Sequence, residues 1–151
     1  MVHQLNVNNL GKRFDNYWVF QNLNYRFESG KIYALTGPSG GGKTTLLNCI
    51  GRLTDASDGE IMLDNKDVSS IKILKYYRNY IGYLFQNYAL VDDETILQNL
   101  NIVKKHNRRE LSSVLKQYNL STDYLDRKVF TLSGGEAQRV ALARLSLQDP
   151  T

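Results

Sequence analysis

The chain has 151 residues, 42% of them hydrophobic, enough for one domain of ordinary size with its own core. Its net charge of +4 and pI near 9.1 come from lysines and arginines scattered along the chain, which argues against a nucleic-acid tail or polybasic membrane anchor and suits an anionic nucleotide ligand. Cys49 is the single cysteine, so no internal disulfide can form and a reducing, cytosolic compartment is expected; the opening Met1 to Asn6 lacks a secretory pattern, and no segment approaches the roughly 18 apolar residues of a membrane span.

In chain order, apolar alternation at Leu5, Val7 and Leu10, then Trp18 and Phe20, then Leu23, Tyr25 and Phe27, predicts short half-buried strands with turns at Gly11 and Asn16. After Ser29-Gly30 the almost continuous apolar run Ile32 to Thr36 predicts a strand covered on both faces. The glycine loop GPSGGGKT follows, Gly37 to Thr44, and then a helix over 44–52 with Leu46, Leu47 and Ile50 at core spacing and Gly51 near its end. Ser57-Asp58-Gly59 signals a turn, a strand over 61–63 runs into the corner Asp64-Asn65-Lys66-Asp67, and a strand over 81–85 precedes Gln86. Helical stripes return with Leu97 and Leu100, then Leu111, Val114, Leu115 and Tyr118, leaving Lys104, Lys105, Arg108 and Arg109 to face water. A last helix is expected from Gly135 to about Leu147, and no internal repeat or low-complexity linker is present.

Two glycine-rich anion sites stand far apart in this pattern. Gly37, then Gly42, Lys43 and Thr44, have the spacing of a phosphate-binding loop, in which glycines let backbone N–H groups approach phosphate oxygens and the following helix presents its positive end. Pro38, Ser39, Gly40, Gly41 and Thr45 fill the remaining positions; Lys43 serves the β and γ phosphates and Thr44 a magnesium ion. The second site is LSGGE, Leu132 to Glu136: Ser133, Gly134 and Gly135 open a helix whose N-terminus can hold another anion, with the Ser133 hydroxyl as a further donor. Alone, it is a serine N-cap followed by glycines.

The two loops in this order, with LSGGE continuing through Glu136-Ala137-Gln138-Arg139-Val140-Ala141-Leu142-Ala143-Arg144, resemble the ATP-binding cassette family, the ATPases of ABC transporters, over 5–150. The resemblance implies an α/β P-loop NTPase fold of the ABC type, with a mixed sheet core, a small antiparallel β part and a helical subdomain at about 88–145 of a single domain 1–151, incomplete at the C-terminus. It implies ATP and Mg2+ as ligands, with Phe14 stacking on adenine (Tyr17 or Trp18 standing as alternatives), Gly37, Pro38, Ser39, Gly40, Gly41, Gly42, Lys43, Thr44 and Thr45 cradling phosphates, and Ser133, Gly134, Gly135 and Glu136 forming the second nucleotide contact. Gln86 matches the family's Q-loop glutamine, which joins Thr44 at the metal, reaches the attacking water and couples to the membrane partner; Lys43 and Gln86 are thus the catalytic candidates. The family more often has serine where Gly41 stands, and glutamine at position 136 or 137. In it, two cassettes meet head to tail, so a homodimer or a second ABC ATPase, a transmembrane permease subunit and no nucleic acid are the expected partners, at the cytoplasmic face of the cell membrane.

The resemblance also implies a strand ending in aspartate and glutamate, followed by a switch histidine. Ile61-Met62-Leu63-Asp64 and Ala89-Leu90-Val91-Asp92-Asp93-Glu94 have the form of such a strand but lie upstream of the signature helix; the family's strand belongs just after Asp149-Pro150, and His3 and His106 match no switch position. The 151-residue chain is therefore expected to bind nucleotide far better than it hydrolyses it, since a positioned base is worth about 10²–10⁴-fold. It is also expected to be partly unfolded or aggregation-prone alone, because the strand 32–36 lacks its usual neighbour. Glu94 to Leu100 and Tyr76 to Tyr83 resemble cassettes serving peptide, bacteriocin or lipoprotein export. The other readings are a non-transport cassette acting on ribosomes or DNA and an inactive truncated remnant; no heptads persist between Gln86 and Ser133, where DNA-repair relatives insert coiled coils.

Overall fold

The computed structural model describes residues 3–148, so Met1, Val2 and the expected catalytic strand beyond Asp149-Pro150 lie outside the described residues. The chain divides into two compact units, Met1–Ile73 and Leu74–Thr151.

The first unit is built on an antiparallel sheet ordered β2-β1-β3-β4, from β1 (Gln4–Phe14), β2 (Tyr17–Glu28), β3 (Asp58–Leu63) and β4 (Lys66–Asp67). β1 is central, pairing with β2 along one edge and β3 along the other. Val7 and Leu10 are both buried although three positions apart, which a regular strand of period two forbids. A register shift between them, with Asn9 at φ 47, resets the alternation so that both reach the core. Gly59 (φ 76) is required opposite: a Cβ there would stand 2.4 Å from the Asn9 carbonyl oxygen. The turn from β3 to β4 uses Asp64 (φ 48) and Asn65 (φ 64), the left-handed pair of a tight hairpin. The Asp64 carboxylate accepts from the Gln4 backbone N–H at 2.8 Å and bonds His3 Nδ1 at 2.5 Å, so this acid serves a sheet corner.

Helix α1 (Lys43–Ile50) begins one residue before the expected 44 and stops two short of 52, where the Gly51 N–H donates to the Leu47 carbonyl at 2.7 Å. Leu46 and Cys49 are its buried residues, and burial pushes the Cys49 thiol up, as suits an inert packing group. An apolar cavity of about 380 Å³ is lined by Leu5, Val7 and Leu23 of the sheet, Leu35, and Leu46 and Ile50 of α1.

Two expected strands are not formed. Residues 32–36 and 81–85 join no ladder among the described residues. Ile32 is fully exposed at 101%, and the segment is fastened chiefly at Tyr33, whose hydroxyl oxygen accepts from the Glu28 N–H at 3.0 Å and whose ring meets Phe27 edge-on. The physical reason is that a strand apolar on both faces gains its burial and its hydrogen bonds from flanking strands, and the sheet among the described residues contains none beside these segments. The antiparallel part is therefore present, while residues 32–36 and 81–85 belong to no strand among the described residues.

The second unit contains α2 (Ile73–Asn79), α3 (Ile96–Leu100), α4 (Arg108–Gln117) and α5 (Gly134–Gln148), with 3-10 turns at Thr122–Asp126 and Val129–Thr131. Ile96, Leu111, Leu115, Leu125 and Val140 form its core, and Lys104, Lys105, Arg108 and Arg109 are exposed as their spacing predicts. Capping boxes start two of the helices, Thr95 with Gln98 on α3 and Asn107 with Glu110 on α4. Asn99 is fully buried with its amide satisfied: Oδ1 accepts from the Val91 N–H at 2.8 Å, and Nδ2 donates to the carbonyls of Val91 and Thr95.

Candidate nucleotide-binding site

The first unit carries the phosphate loop. Gly37 (φ 153), Gly40 (φ 77) and Gly42 (φ 82) give it a path closed to residues with side chains, and the Gly41 N–H donates to the Pro38 carbonyl at 3.1 Å. Gly42 is the N-cap of α1; a Cβ on it would meet Val19 Cγ1 at 2.7 Å, so β2 backs the loop directly. No side chain caps α1 and no acid sits in its first turn, which leaves the helix N-terminus without a side-chain acceptor. The Lys43 ammonium folds back onto the loop and donates to the carbonyls of Gly37 at 2.8 Å and Pro38 at 2.5 Å. Ser39 and Thr44 are exposed.

At the hairpin end of the same sheet, Phe14 pairs with Tyr17, and both are exposed, at 52% and 72%. Lys12 Nζ lies 4.8 Å from the Phe14 ring centroid and the Arg13 guanidinium 5.4 Å from that of Trp18. Of the three aromatics proposed for stacking, Trp18 is packed beside Gly11, while Phe14 and Tyr17 remain open.

In the second unit, Gln86 is exposed in a turn closed by the Tyr88 N–H on the Phe85 carbonyl at 3.0 Å. Ser133 and Glu136 open α5: the Ser133 N–H donates to Glu136 Oε2 at 2.7 Å, and the Glu136 N–H to Ser133 Oγ at 3.3 Å. Tyr124 donates its hydroxyl to Glu136 Oε1 at 2.5 Å, and Arg127 stacks 4.4 Å over the Tyr124 ring. Both carboxylate oxygens of Glu136 are thus turned inward, while a Cβ on Gly134 or Gly135 would touch nothing within 4 Å. Tyr124 was invisible to sequence reasoning, since a tyrosine in a polar turn carries no spacing signal. The S-x-x-E pattern of the capping box was legible. Of the two acid runs with the form of a metal strand, Ile61 to Leu63 lies in β3 with Asp64 in the turn to β4, and in the other the carbonyls of Asp92 and Glu94 accept from the N–H groups of Phe130 and Val129.

A family model described as ABC transporter matches residues 20–151. The chain belongs to the ABC transporter family. This cassette is 34% identical to the phosphonates import ATP-binding protein PhnC 2 of Oceanobacillus iheyensis, over 97% of its own length and 64% of that protein's, so it spans about two thirds of the curated relative it matches. Its structure is similar to the dimeric bacterial ABC transporter cassette MJ0796, at a TM-score of 0.84 and 29% identity, covering 97% of this chain and 70% of that one. The same cassette in a dimeric post-hydrolysis state bound to ADP and Pi matches with the same figures. A bacterial Atm1-family ABC exporter with ATP bound matches at a TM-score of 0.84 and 26% identity, over 28% of its chain. The fold is that of an ABC ATPase cassette, and among the described residues no helix is long and apolar enough to cross a membrane.

Proposed function

We propose that this cassette binds Mg-ATP and, within the complete protein, hydrolyses it as the energy-coupling subunit of a bacterial ABC transporter. The observation that carries the reading is the uncapped start of α1 beneath a glycine loop, with the Lys43 ammonium already held over it by two carbonyls. On nucleotide binding, the ammonium exchanges these carbonyl bonds for charge-assisted bonds to the β and γ phosphates, while the backbone N–H groups of Gly40 and of 42–45 take the remaining phosphate oxygens. Magnesium, when bound, would neutralise phosphate charge, and the Thr44 hydroxyl and the Gln86 side chain are each candidates to hold it. That sparse donor set fits an ion held largely by phosphates and water, and no His, Cys, Asp and Glu cluster suited to a metal occurs among the described residues. Phe14 is the adenine platform, its exposed ring supporting the choice over Trp18.

The signature segment serves the nucleotide of a second cassette. In this reading the N-terminus of α5 and the Ser133 hydroxyl meet the γ-phosphate held by the partner. Glu136 acts one step back in this reading, holding Ser133 in its capping geometry. The dimeric state of the MJ0796 cassette supports the arrangement. A transmembrane permease subunit would fix the protein to the inner face of the membrane and choose cargo and direction. The ribosome, DNA and remnant readings have no observation in their favour. Light scattering of the full-length protein with a non-hydrolysable ATP analogue and magnesium tests the proposal: a nucleotide-dependent dimer is expected, and a monomer at saturating nucleotide would contradict it.

A further inference from the structure

The turn that carries Gln86 is strained. Tyr88 (φ 63) and Ala89 (φ 45) stand in succession in the left-handed region, which side chains disfavour and which single residues, not pairs, usually occupy. Such a pair persists only where its surroundings hold it. Here the holder is Arg144 on α5, whose Nη2 donates to the Tyr88 carbonyl at 2.7 Å and Nη1 to the Ala89 carbonyl at 2.8 Å. The rigid guanidinium fork matches two adjacent carbonyls in a way a lysine cannot. Arg144 is half-buried among Tyr83, Phe85 and Leu145, and burial lowers its pKa, so its charge is maintained at the expense of desolvation that those two carbonyls offset. Beyond the turn, the buried Asn99 amide grips Val91 through both its N–H and its carbonyl. The Gln86 turn is therefore suspended between two anchors, one of which stands on the helix that opens with Ser133.

We propose that Arg144 is a positioning residue: by clamping the left-handed pair Tyr88-Ala89 it fixes the place of Gln86 and ties that turn to the signature helix, so that the two respond to nucleotide as one piece. The inference rests on the reading that Gln86 serves the nucleotide. It is tested in the full-length protein by two measurements with separate failures. Hydrogen exchange of Arg144→Met should speed the amides of 86–90 about tenfold or more while those of α4 keep their protection; unchanged exchange at 86–90, or protection lost through α4 as well, would overturn the clamp. Adding Ala89→Gly, which adopts positive φ freely, should recover part of the stability lost in Arg144→Met; no recovery would contradict the strain argument. In steady-state hydrolysis, Arg144→Lys should lower kcat on the order of 10-fold with KM for ATP nearly unchanged. Combined with Gln86→Ala, it should add nothing to the loss that Gln86→Ala causes alone; additive losses, or a change confined to KM, would overturn the positioning role. If Gln86→Ala leaves turnover intact, the assignment of Gln86 fails, and the exchange result still decides whether Arg144 holds the turn.

Discussion

Ser133 and Glu136 cap one another at the start of α5, the Ser133 N–H on Glu136 Oε2 at 2.7 Å and the Glu136 N–H on Ser133 Oγ at 3.3 Å. The hydrogen bond from Tyr124, then those from Ser133, hold the Glu136 carboxyl at about 2, below its ordinary 4.5. A carboxylate depressed in the folded state contributes stability that is fully present above its unfolded pKa and is lost as pH falls through the folded one. Glu136→Gln should therefore lower the Tm at neutral pH, and the gap to the parent protein should shrink between pH 4.5 and about 2. Thermal melts across that window check this; a gap that stays constant would contradict it.

Gly42 and Gly41 should respond unequally to a side chain. Gly42→Ala forces a left-handed alanine, costing about 1–2 kcal/mol, and drives its Cβ to within 2.7 Å of Val19 Cγ1. Gly41 has no positive φ, and its nearest obstacle is the Pro38 carbonyl oxygen at 3.1 Å. Paired melts and nucleotide titrations should show Gly42→Ala losing both stability and ATP binding, with Gly41→Ser nearly neutral in stability. Equal losses would contradict this account of the loop.

The open segment 32–36 bears on stability. Ile32 at 101% and Leu35 at 46% exposure forgo burial worth about 1.5–3 kcal/mol for each side chain, and the cavity of about 380 Å³ beside them removes packing contacts from the sheet and α1. Against a typical margin of about 5–15 kcal/mol, the 151-residue chain should unfold broadly and at low temperature when followed by circular dichroism. A sharp, cooperative melt would contradict this.

Much of the architecture was legible wherever a residue's partners are local. Alternation in Leu5 to Phe27, the strand at Ile61 and the stripe Leu111 and Leu115 correspond to observed elements, except that β1 runs on through Gly11, where a turn was expected and a register shift stands instead. Ile32 to Thr36 and Ile81 to Phe85 carry the composition of buried strands, but a ladder needs a second strand, which no single segment encodes. The bulge at Asn9 escaped because its cause lies in the close approach of Gly59. Within the candidate site, the hydrogen bonds of Tyr124 and Ser133 to the Glu136 carboxylate, and those of Arg144 to Tyr88 and Ala89, join residues of which only Ser133 and Glu136 share a sequence pattern.

Equilibrium titration of ATP with magnesium into the full-length protein and its Lys43→Ala variant tests the central claim most directly. The account predicts that the variant binds about 10–100-fold more weakly, the loss of a charge-assisted bond worth about 1.5–3 kcal/mol, with the nucleotide-free Tm little changed because the carbonyls of Gly37 and Pro38 regain water. An ATP affinity equal to that of the parent protein would contradict it.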